Sequence, residues 1–300
     1  MIAEYSLNNF KWIDVQAPTE AELQLLRSEY GLDFNIVKDL SEPISDTRVV
    51  SFDNQHYLAF HHTTTESLSH KPRWQEIDII VLDNLVITVV YEPFKSIAAL
   101  RQELDIEKTL KHEVTLTKEQ FLTGLVIKVH QDLRMLTAAI NSNQRNIEEQ
   151  IFNGGERQMV RTISETGRVL FNLNQTIAEQ RHLLKFLPTA MKKELANLTY
   201  VWERELEHTG DQVKAQYDLY HDLRRTNEEL LTTKQNEVMR KLTLVAFITS
   251  PLTILAGIFG MNTRAIPFIG SQHDFWIVIG IMVTVIIITM LTLKSKGWFE

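Results

Sequence analysis

The stretch Leu242–Asn262, LTLVAFITSPLTILAGIFGMN, decides how the rest of the chain is read. From Leu242 through Thr263 there is no Asp, Glu, Lys, Arg or His. At 1.5 Å rise per residue, about 22 helical residues reach about 33 Å, enough to cross the roughly 30 Å hydrocarbon core of a bilayer. A second uncharged run, Phe275–Leu293, follows after a short loop, and about 19 residues again suffice for a span. Lys234, Arg240 and Lys241 precede the first run, Lys294 and Lys296 follow the second, and Arg264 is the one basic Lys or Arg between them. The positive-inside rule then puts both termini in the cytoplasm and the loop from Asn262 to Asp274 outside. Two buried core helices of a soluble enzyme would be the competing reading, but helices of that kind usually carry charge along one face, and these carry none. The expectation is a two-span protein of the cell membrane with a large cytoplasmic body.

Composition narrows the body. Three hundred residues allow about two domains. Cysteine is absent, which excludes disulfides, Cys-ligated zinc, iron–sulfur clusters and thiol nucleophiles. The first residues, MIAEYSLNNFKWID, lack a basic segment followed by an apolar run, so no cleavable signal peptide is expected. The formal net charge is -7, and it is unevenly spread: residues 1–233 carry 25 Lys and Arg against 35 Asp and Glu, whereas residues 234–300 carry six against three. An acidic body argues against nucleic acid as a partner. It could gather cations near the membrane, although solubility alone accounts for the same charge.

Residues 1–115 read as a mixed α/β domain. Lys11–Val15 is a short strand ended by Pro18, and Thr19-Glu20-Ala21-Glu22 is a capping box that opens a helix running to Tyr30, closed by Gly31. Arg48–Phe52 and His56–His62 are strands joined by Asp53-Asn54; Ile77–Leu82 and Leu85–Val90 form a hairpin across Asp83-Asn84. A helix from Phe94 to about Leu104 leaves the sheet. Residues 116–188 form a helical hairpin: one helix from Thr117 to Phe152, a Gly154-Gly155 break, and a second from Glu156 to Leu187, stopped by Pro188. This arrangement suits a projecting contact arm. Residues 189–241 form a stalk helix whose apolar positions, among them Leu198, Trp202, Leu206, Val213, Leu223 and Val238, recur mostly at steps of three, four and seven. Thr209, Gln216, Asn227 and Lys234 interrupt that seam, so a wet multi-helix bundle, and with it a homo-oligomer, is expected. The stalk continues into the first span, residues 242–263; a loop (264–274), the second span (275–293) and a basic tail (294–300) complete the chain.

In the first span, Thr243, Ala246, Thr249 or Ser250, Thr253, Gly257 and Gly260 fall on one face, while Leu244, Phe247, Ile248, Leu252, Leu255 and Phe259 suit lipid or the second span. Small residues permit close helix packing, and hydroxyls there are also able to line a water path. Pro251 removes one backbone donor. The second span is apolar on nearly all faces. With no charged group inside either span, a permeating cation must be handled by neutral oxygens or through its own water shell.

At this point the residues resemble a known family. Pro251-Leu252-Thr253 followed by Ala256-Gly257-Ile258-Phe259-Gly260-Met261-Asn262 is similar to the signature of CorA-type magnesium transport proteins, with Asn236-Glu237-Val238-Met239 upstream and Lys294-Ser295-Lys296-Gly297-Trp298-Phe299 as a basic, aromatic tail. The architecture fits over the whole chain; likeness of sequence is concentrated in residues 234–300, with a fainter echo at Trp12-Ile13-Asp14 and Pro18-Thr19-Glu20. The resemblance implies a homopentamer with the first span around a central pore. It implies an outer selectivity ring of Gly260, Met261 and Asn262, with Thr253 one level down. Met239 and Leu242 would form a hydrophobic constriction, and Asn236 would lie near its cytoplasmic end. It further implies Mg2+ as both permeating and regulatory ion, with no cofactor. The regulatory metal would sit at stalk carboxylates, for which Glu203, Glu205 and Glu207 are the candidates; solvated stalk charge is the plainer reading of all three. The outer loop departs from the family pattern: Ile266-Pro267-Phe268 is followed by Ile269-Gly270 rather than an acidic residue.

The rivals are fewer. A Zn2+ transporter of the same superfamily, driven by protons, is the alternative, and Met261, where such relatives have Val, speaks for magnesium. His56, His61, His62 and His70 look like a metal cluster, but His61 and His62 are adjacent on a strand and point to opposite faces. A membrane-anchored enzyme lacks any support in a P-loop, G-x-S-x-G, H-E-x-x-H or G-x-G-x-x-G motif. A coiled-coil scaffold would not require the polar stripe or the Gly-Met-Asn end. The fold class expected is therefore α+β: a cytoplasmic α/β domain, a helical hairpin, and a long stalk running into the first of two C-terminal spans. The function expected is passive influx of Mg2+, with Co2+ and Ni2+ as further candidates.

Overall fold

The computed structural model describes every residue except 45, 53, 66, 67, 69, 70, 111–114, 262–272, 297, 299 and 300, and the side chains of 190 and 274. Two compact units divide the chain, Met1–Asn227 and Glu228–Glu300.

The first unit is built on a six-stranded sheet of β1 (Ile2–Leu7), β2 (Phe10–Gln16), β3 (Arg48–Phe52), β4 (Gln55–Thr64), β5 (Arg73–Leu82) and β6 (Leu85–Val90). The order is β1-β2-β6-β5-β4-β3, antiparallel throughout except for the parallel pair β2 and β6. Every residue of β6, LVITVV, is buried, as expected of a central strand covered on both faces. On one face Ile13, Val15, Tyr57, Ala59, Ile80, Ile87 and Val89 pack with α1 (Glu20–Tyr30) and α2 (Phe34–Asp39). On the other, Trp12, Leu58, Phe60, Ile79, Val86 and Val90 join a larger core with α3 (Lys95–Thr109), α4 (Lys118–Phe152), α5 (Glu156–Lys185) and α7 (Ala196–Phe259).

Local sequence sets several of these boundaries. The Thr19 hydroxyl accepts the Glu22 N–H at 3.3 Å while Glu22 accepts the Thr19 N–H at 2.9 Å, and Gly31 closes α1 with φ 64, a left-handed value natural to glycine. A second capping box, Thr117 with Gln120, starts α4. The structure adds β1, a short edge strand with Glu4 and Ser6 exposed and Tyr5 and Leu7 turned inward, and begins β5 at Arg73, four residues before the apolar run. There Trp74 and Gln75 pair with Thr63 and His62 through the backbone alone.

Two expectations are corrected. The hairpin of α4 and α5 does not stand apart as an arm, since its side chains from Phe121 to Ile140 and from Val169 to Leu184 share one core with the sheet. The Thr63 and Thr176 hydroxyls meet at 2.7 Å, and Gln180 donates to the His61 carbonyl at 2.9 Å. The stalk helix begins at Ala196 rather than near Ala190. A short helix, α6 (Thr189–Glu194), ends at Leu195 with φ -114 and ψ 45, which breaks the ladder before α7 starts. The 64 residues of α7 extend for about 96 Å at helical rise.

The polar-interrupted seam on α7 is answered within the chain. Leu198, Trp202, Leu206, Thr209, Val213, Leu223 and Asn227 are buried. Gln144 of α4 donates to the Gln216 carbonyl at 2.8 Å, Arg181 of α5 to the Leu206 carbonyl at 3.1 Å, and Arg134 of α4 pairs with Glu205. The apolar seam as far as Asn227 is therefore covered within the chain, while the side-chain oxygens of Thr209, Gln216 and Asn227 have no partner among the described residues. Trp202 sits where four elements meet: its ring lies edge-on to Phe60 of β4 at 5.1 Å and near His130 of α4 at 6.3 Å, and its indole N–H donates to Gln180 of α5 at 3.3 Å. Replacing Trp202 with Ala is expected to lower unfolding stability by about 3–5 kcal/mol, read as a drop in denaturation midpoint of the purified chain; an unchanged midpoint would refute the central role of this contact.

Candidate functional site

The second unit holds the part of α7 beyond Asn227 and α8 (Asp274–Ser295). Both helices are long and apolar enough to cross a membrane, and none of the most apolar window of α7 and 6% of that of α8 is buried. Core helices of a soluble protein would be mostly covered.

The membrane stretch of α7 has two faces. Leu244, Ile248, Pro251, Leu252, Leu255 and Phe259 are half-buried, as are Val278, Ile281, Met282, Val285, Ile286 and Thr289 of α8. Spacings of three and four make each set a single stripe, and the two stripes are the faces these helices turn toward each other. Their union is fixed at one end by Trp298, whose ring packs edge-on against Phe247 at 5.7 Å and whose carbonyl accepts the Arg240 Nε–H at 3.1 Å.

The residues expected to line a path lie on the other side. Asn236, Met239, Leu242, Ala246, Ser250, Thr253 and Gly257 are all exposed, as are Gly260 and Met261 beyond them. Ala246, Ser250 and Gly257 each follow a residue of the half-buried stripe by two positions, about 200° around the helix. Asn262 lies outside the described residues, as does His70.

Hydrogen bonding gives this face a definite chemical character. The hydroxyls of Thr243, Thr249 and Thr253 donate to the carbonyls of Met239, Val245 and Thr249 at 2.8, 3.0 and 3.0 Å. A hydroxyl that spends its proton on the preceding turn keeps its oxygen lone pairs for an outside partner. Pro251 offers no N–H to the Phe247 carbonyl one turn back. At the helix end, the Gly260 N–H reaches the Ala256 carbonyl at 2.9 Å, and a Cβ at Gly260 would stand 2.9 Å from that same oxygen. Glycine thus lets α7 finish tightly, with the negative pole of its dipole at Gly260 and Met261. The face accepts hydrogen bonds and favours positive charge.

The three stalk carboxylates are not brought together. Glu203 and Glu207, one turn apart, are exposed, whereas Glu205 turns about 200° away into its ion pair with Arg134. The histidines are structural. His56 bonds the Ser51 hydroxyl at 2.8 Å and His61 the Ile44 carbonyl at 2.9 Å. Among the described residues no group of three or more His, Asp or Glu is arranged to hold a metal.

Sequence reasoning named His62 without its burial, took Asp78 for a solvated or turn-forming carboxylate, and missed His130; all three are buried inside the first unit. His62 is fully buried beside the Phe94 ring at 5.0 Å, and both its ring nitrogens lack a hydrogen-bond partner. His130 donates through Nδ1 to the Val126 carbonyl at 2.9 Å, and its Nε2 lacks a partner. Burial pushes His62 down from 6.5 to about 3, helped by the neighbouring His130, and burial likewise pushes His130 down to about 4. On the opposite face of the sheet, Asp78 accepts from the Tyr57 and Tyr91 hydroxyls at 3.0 and 2.8 Å. Burial, with Glu76 nearby, holds its carboxyl well above the usual range.

The sequence profile of the CorA-like Mg2+ transporter proteins matches residues 8–295. The chain belongs to that family. The cobalt/magnesium transport protein CorA of Thermotoga maritima is 22% identical over 292 residues, covering 96% of this chain and 83% of its own length. The complete structure of the CorA magnesium transporter from Methanocaldococcus jannaschii superposes with a TM-score of 0.80 at 19% identity, over 99% of this chain and 94% of that one. The full-length CmaX structure gives 0.73 at 16% identity, over 95% and 88%. The CorA fold expected from the sequence is the fold observed: a sheet-based N-terminal unit, a helical hairpin, a long helix and two apolar C-terminal helices.

The buried histidines give this CorA-like chain a pH signature. Unfolded, both take up protons near pH 6.5, whereas folded they refuse them until about 4 and about 3. The unfolded state binds more protons in that window, so their contribution is intact above pH 6.5 and is lost progressively as pH falls toward 4. The denaturation midpoint should fall between pH 7 and pH 5, and His62→Leu should flatten that fall; equal slopes in the two proteins would overturn the assignment.

Proposed function

We propose that copies of the chain assemble around the exposed face of α7 to form a membrane path for Mg2+, with Co2+ and Ni2+ as further cargo. One observation carries the reading: α8 covers the apolar face of α7 and leaves uncovered a continuous stripe of Asn236, Met239, Leu242, Ala246, Ser250, Thr253 and Gly257. Its small and polar members within the apolar run, Ala246, Ser250, Thr253 and Gly257, call in a hydrocarbon setting for other copies or water. The family profile and the magnesium and cobalt named for the Thermotoga maritima relative support these ions as cargo.

The chemistry of the stripe suits a hydrated ion. Mg2+ sheds its water reluctantly. In a ring of five copies, Thr253 oxygens and Asn262 amide oxygens would accept hydrogen bonds from those waters without stripping them, while Gly260 and Met261 would shape the outer mouth. Met239 and Leu242 would form a constriction that closes by expelling water, with Asn236 below it. An inside-negative potential supplies about 2.3 kcal/mol per charge per 100 mV, enough to draw a divalent ion inward if both termini face the cytoplasm. Glu203 and Glu207, exposed on the stalk part of α7, are the carboxylates we propose for closure by cytoplasmic Mg2+; Glu205 is already engaged by Arg134.

Uptake into proteoliposomes under an inside-negative potential tests this. Mg2+ entry that depends on voltage and falls at least tenfold in Asn262→Ala is the expected result. Zn2+ flux that follows a pH gradient, with little Mg2+ entry, would overturn it in favour of a proton-coupled zinc transporter. Leu242→Asn, which wets the constriction, should raise Mg2+ flux when internal Mg2+ is high; an unchanged flux would remove Leu242 from the gate. Mass measurement in mild detergent should return a pentamer, and a monomer or dimer would overturn the ring.

A further inference from the structure

The chain turns back after α8. Lys296 closes the helix, and the Trp298 N–H then donates to the Leu293 carbonyl at 3.1 Å. That turn lays the Trp298 indole on Phe247 and brings its carbonyl to Arg240 Nε. Residues nearly sixty positions apart are thereby pinned at one end of the second unit. Arg240 and Lys241 of α7 and Lys294 and Lys296 at the end of α8 all lie at this end, and all four are exposed.

Among the described residues no carboxylate is paired with this cluster, and Glu300 lies outside them. Glu237 is the only Asp or Glu in residues 230–261, and residues 275–299 contain none. Among the described residues no salt bridge reaches any of the four cations. Immediately beyond them the surface is apolar: Val245 is 59% exposed and Leu291 61%. A cluster of positive charge set directly against open apolar side chains, with a tryptophan at the boundary, matches a molecule carrying a phosphate at one end and hydrocarbon at the other. Free phosphate would answer the charge and leave the apolar ground unused.

We infer that the crook formed by Arg240, Lys241, Lys294, Lys296 and Trp298 binds the headgroup of an anionic phospholipid. The lipid phosphate takes Arg240 and Lys241 from one helix and Lys294 and Lys296 from the other, so its occupancy reinforces the clamp of the tail on α7. The inference rests on the membrane-spanning reading of the two helices and is independent of which ion passes.

The test reads binding rather than transport, so a failure of the ion assignment leaves it untouched. The delipidated full chain in neutral detergent is titrated with spin-labelled phosphatidylglycerol and phosphatidylcholine, and bound lipid is measured by electron spin resonance. The anionic phosphatidylglycerol should be preferred, and the preference should fall about fivefold for each cation replaced in the series Arg240→Gln, Lys241→Gln, Lys294→Gln, Lys296→Gln. Arg240→Lys with Lys294→Arg, which retains charge, should keep most of it. Trp298→Ala, which keeps all four charges and releases the tail, should weaken it too. Equal binding of the two lipids by the unaltered chain, or a preference untouched by the glutamine series, would overturn the site. Displacement by millimolar inorganic phosphate would overturn the lipid in favour of a free anion. A Trp298→Ala variant with full preference would reduce the crook to scattered charge and overturn it as a built site.

Discussion

The first unit depends on Trp202. A stalk helix bearing polar residues on its inner seam has little reason to lie against a sheet unless one contact repays the polar burial, and Trp202 is that contact. Its ring meets Phe60 and His130, and its N–H is satisfied by Gln180, so the apolar body is buried without stranding the donor. Gln180 uses its other end on the His61 carbonyl, tying the same network to the strand beneath. Around this point the seam tolerates Thr209 and Asn227, whose side-chain oxygens have no partner in the described structure. Local polar cost is accepted because the surrounding apolar contacts outweigh it.

Below Asn227 the same helix obeys different rules. There Leu244, Ile248, Leu252 and Leu255 are half-buried while Ala246, Ser250, Thr253 and Gly257 are exposed, together with Ile254 and Ile258. The threonines are not placed at random within that division. Each hydroxyl returns its proton to the helix, which repairs a backbone lone pair and settles the polarity of the outward face at once. The close of α7 at Gly260 follows from the same economy, because a Cβ there would strike the Ala256 carbonyl.

Much of this was legible in the sequence because the relevant forces are local. The Thr19–Glu22 box, the Gly31 stop, the Asp83-Asn84 hairpin and the charge-free runs depend on residues a few positions apart, and each is where the spacing puts it. β1 was not assigned from the sequence although Glu4 and Ser6 alternate with the inward Tyr5 and Leu7, because the strand is short and lies at the sheet edge. The break at Leu195 carries no Gly or Pro of its own. The merger of hairpin and sheet depends on long-range contacts such as Thr63 with Thr176, which leave no periodic trace. Of the candidate path, the face from Thr243 to Gly260 was readable from helical spacing, whereas Asn236, Met239 and Leu242 came only from the family resemblance. The sorting of Glu205 away from Glu203 and Glu207 was not, because it follows from Arg134, seventy-one positions earlier. The crook at Trp298 was hidden for the same reason: a tail reads as a tail until the turn folds it back on Arg240.

The committed protons of Thr243, Thr249 and Thr253 have a consequence for water itself. Along the path we propose, a threonine oxygen that only accepts would have each adjoining water molecule point its hydrogens at it and its oxygen toward the axis. That posture is the one water takes around a cation and the reverse of the one it takes around an anion. A chloride ion would have to turn every molecule of its shell against the wall, while a hydrated magnesium ion would find the file already dressed for it.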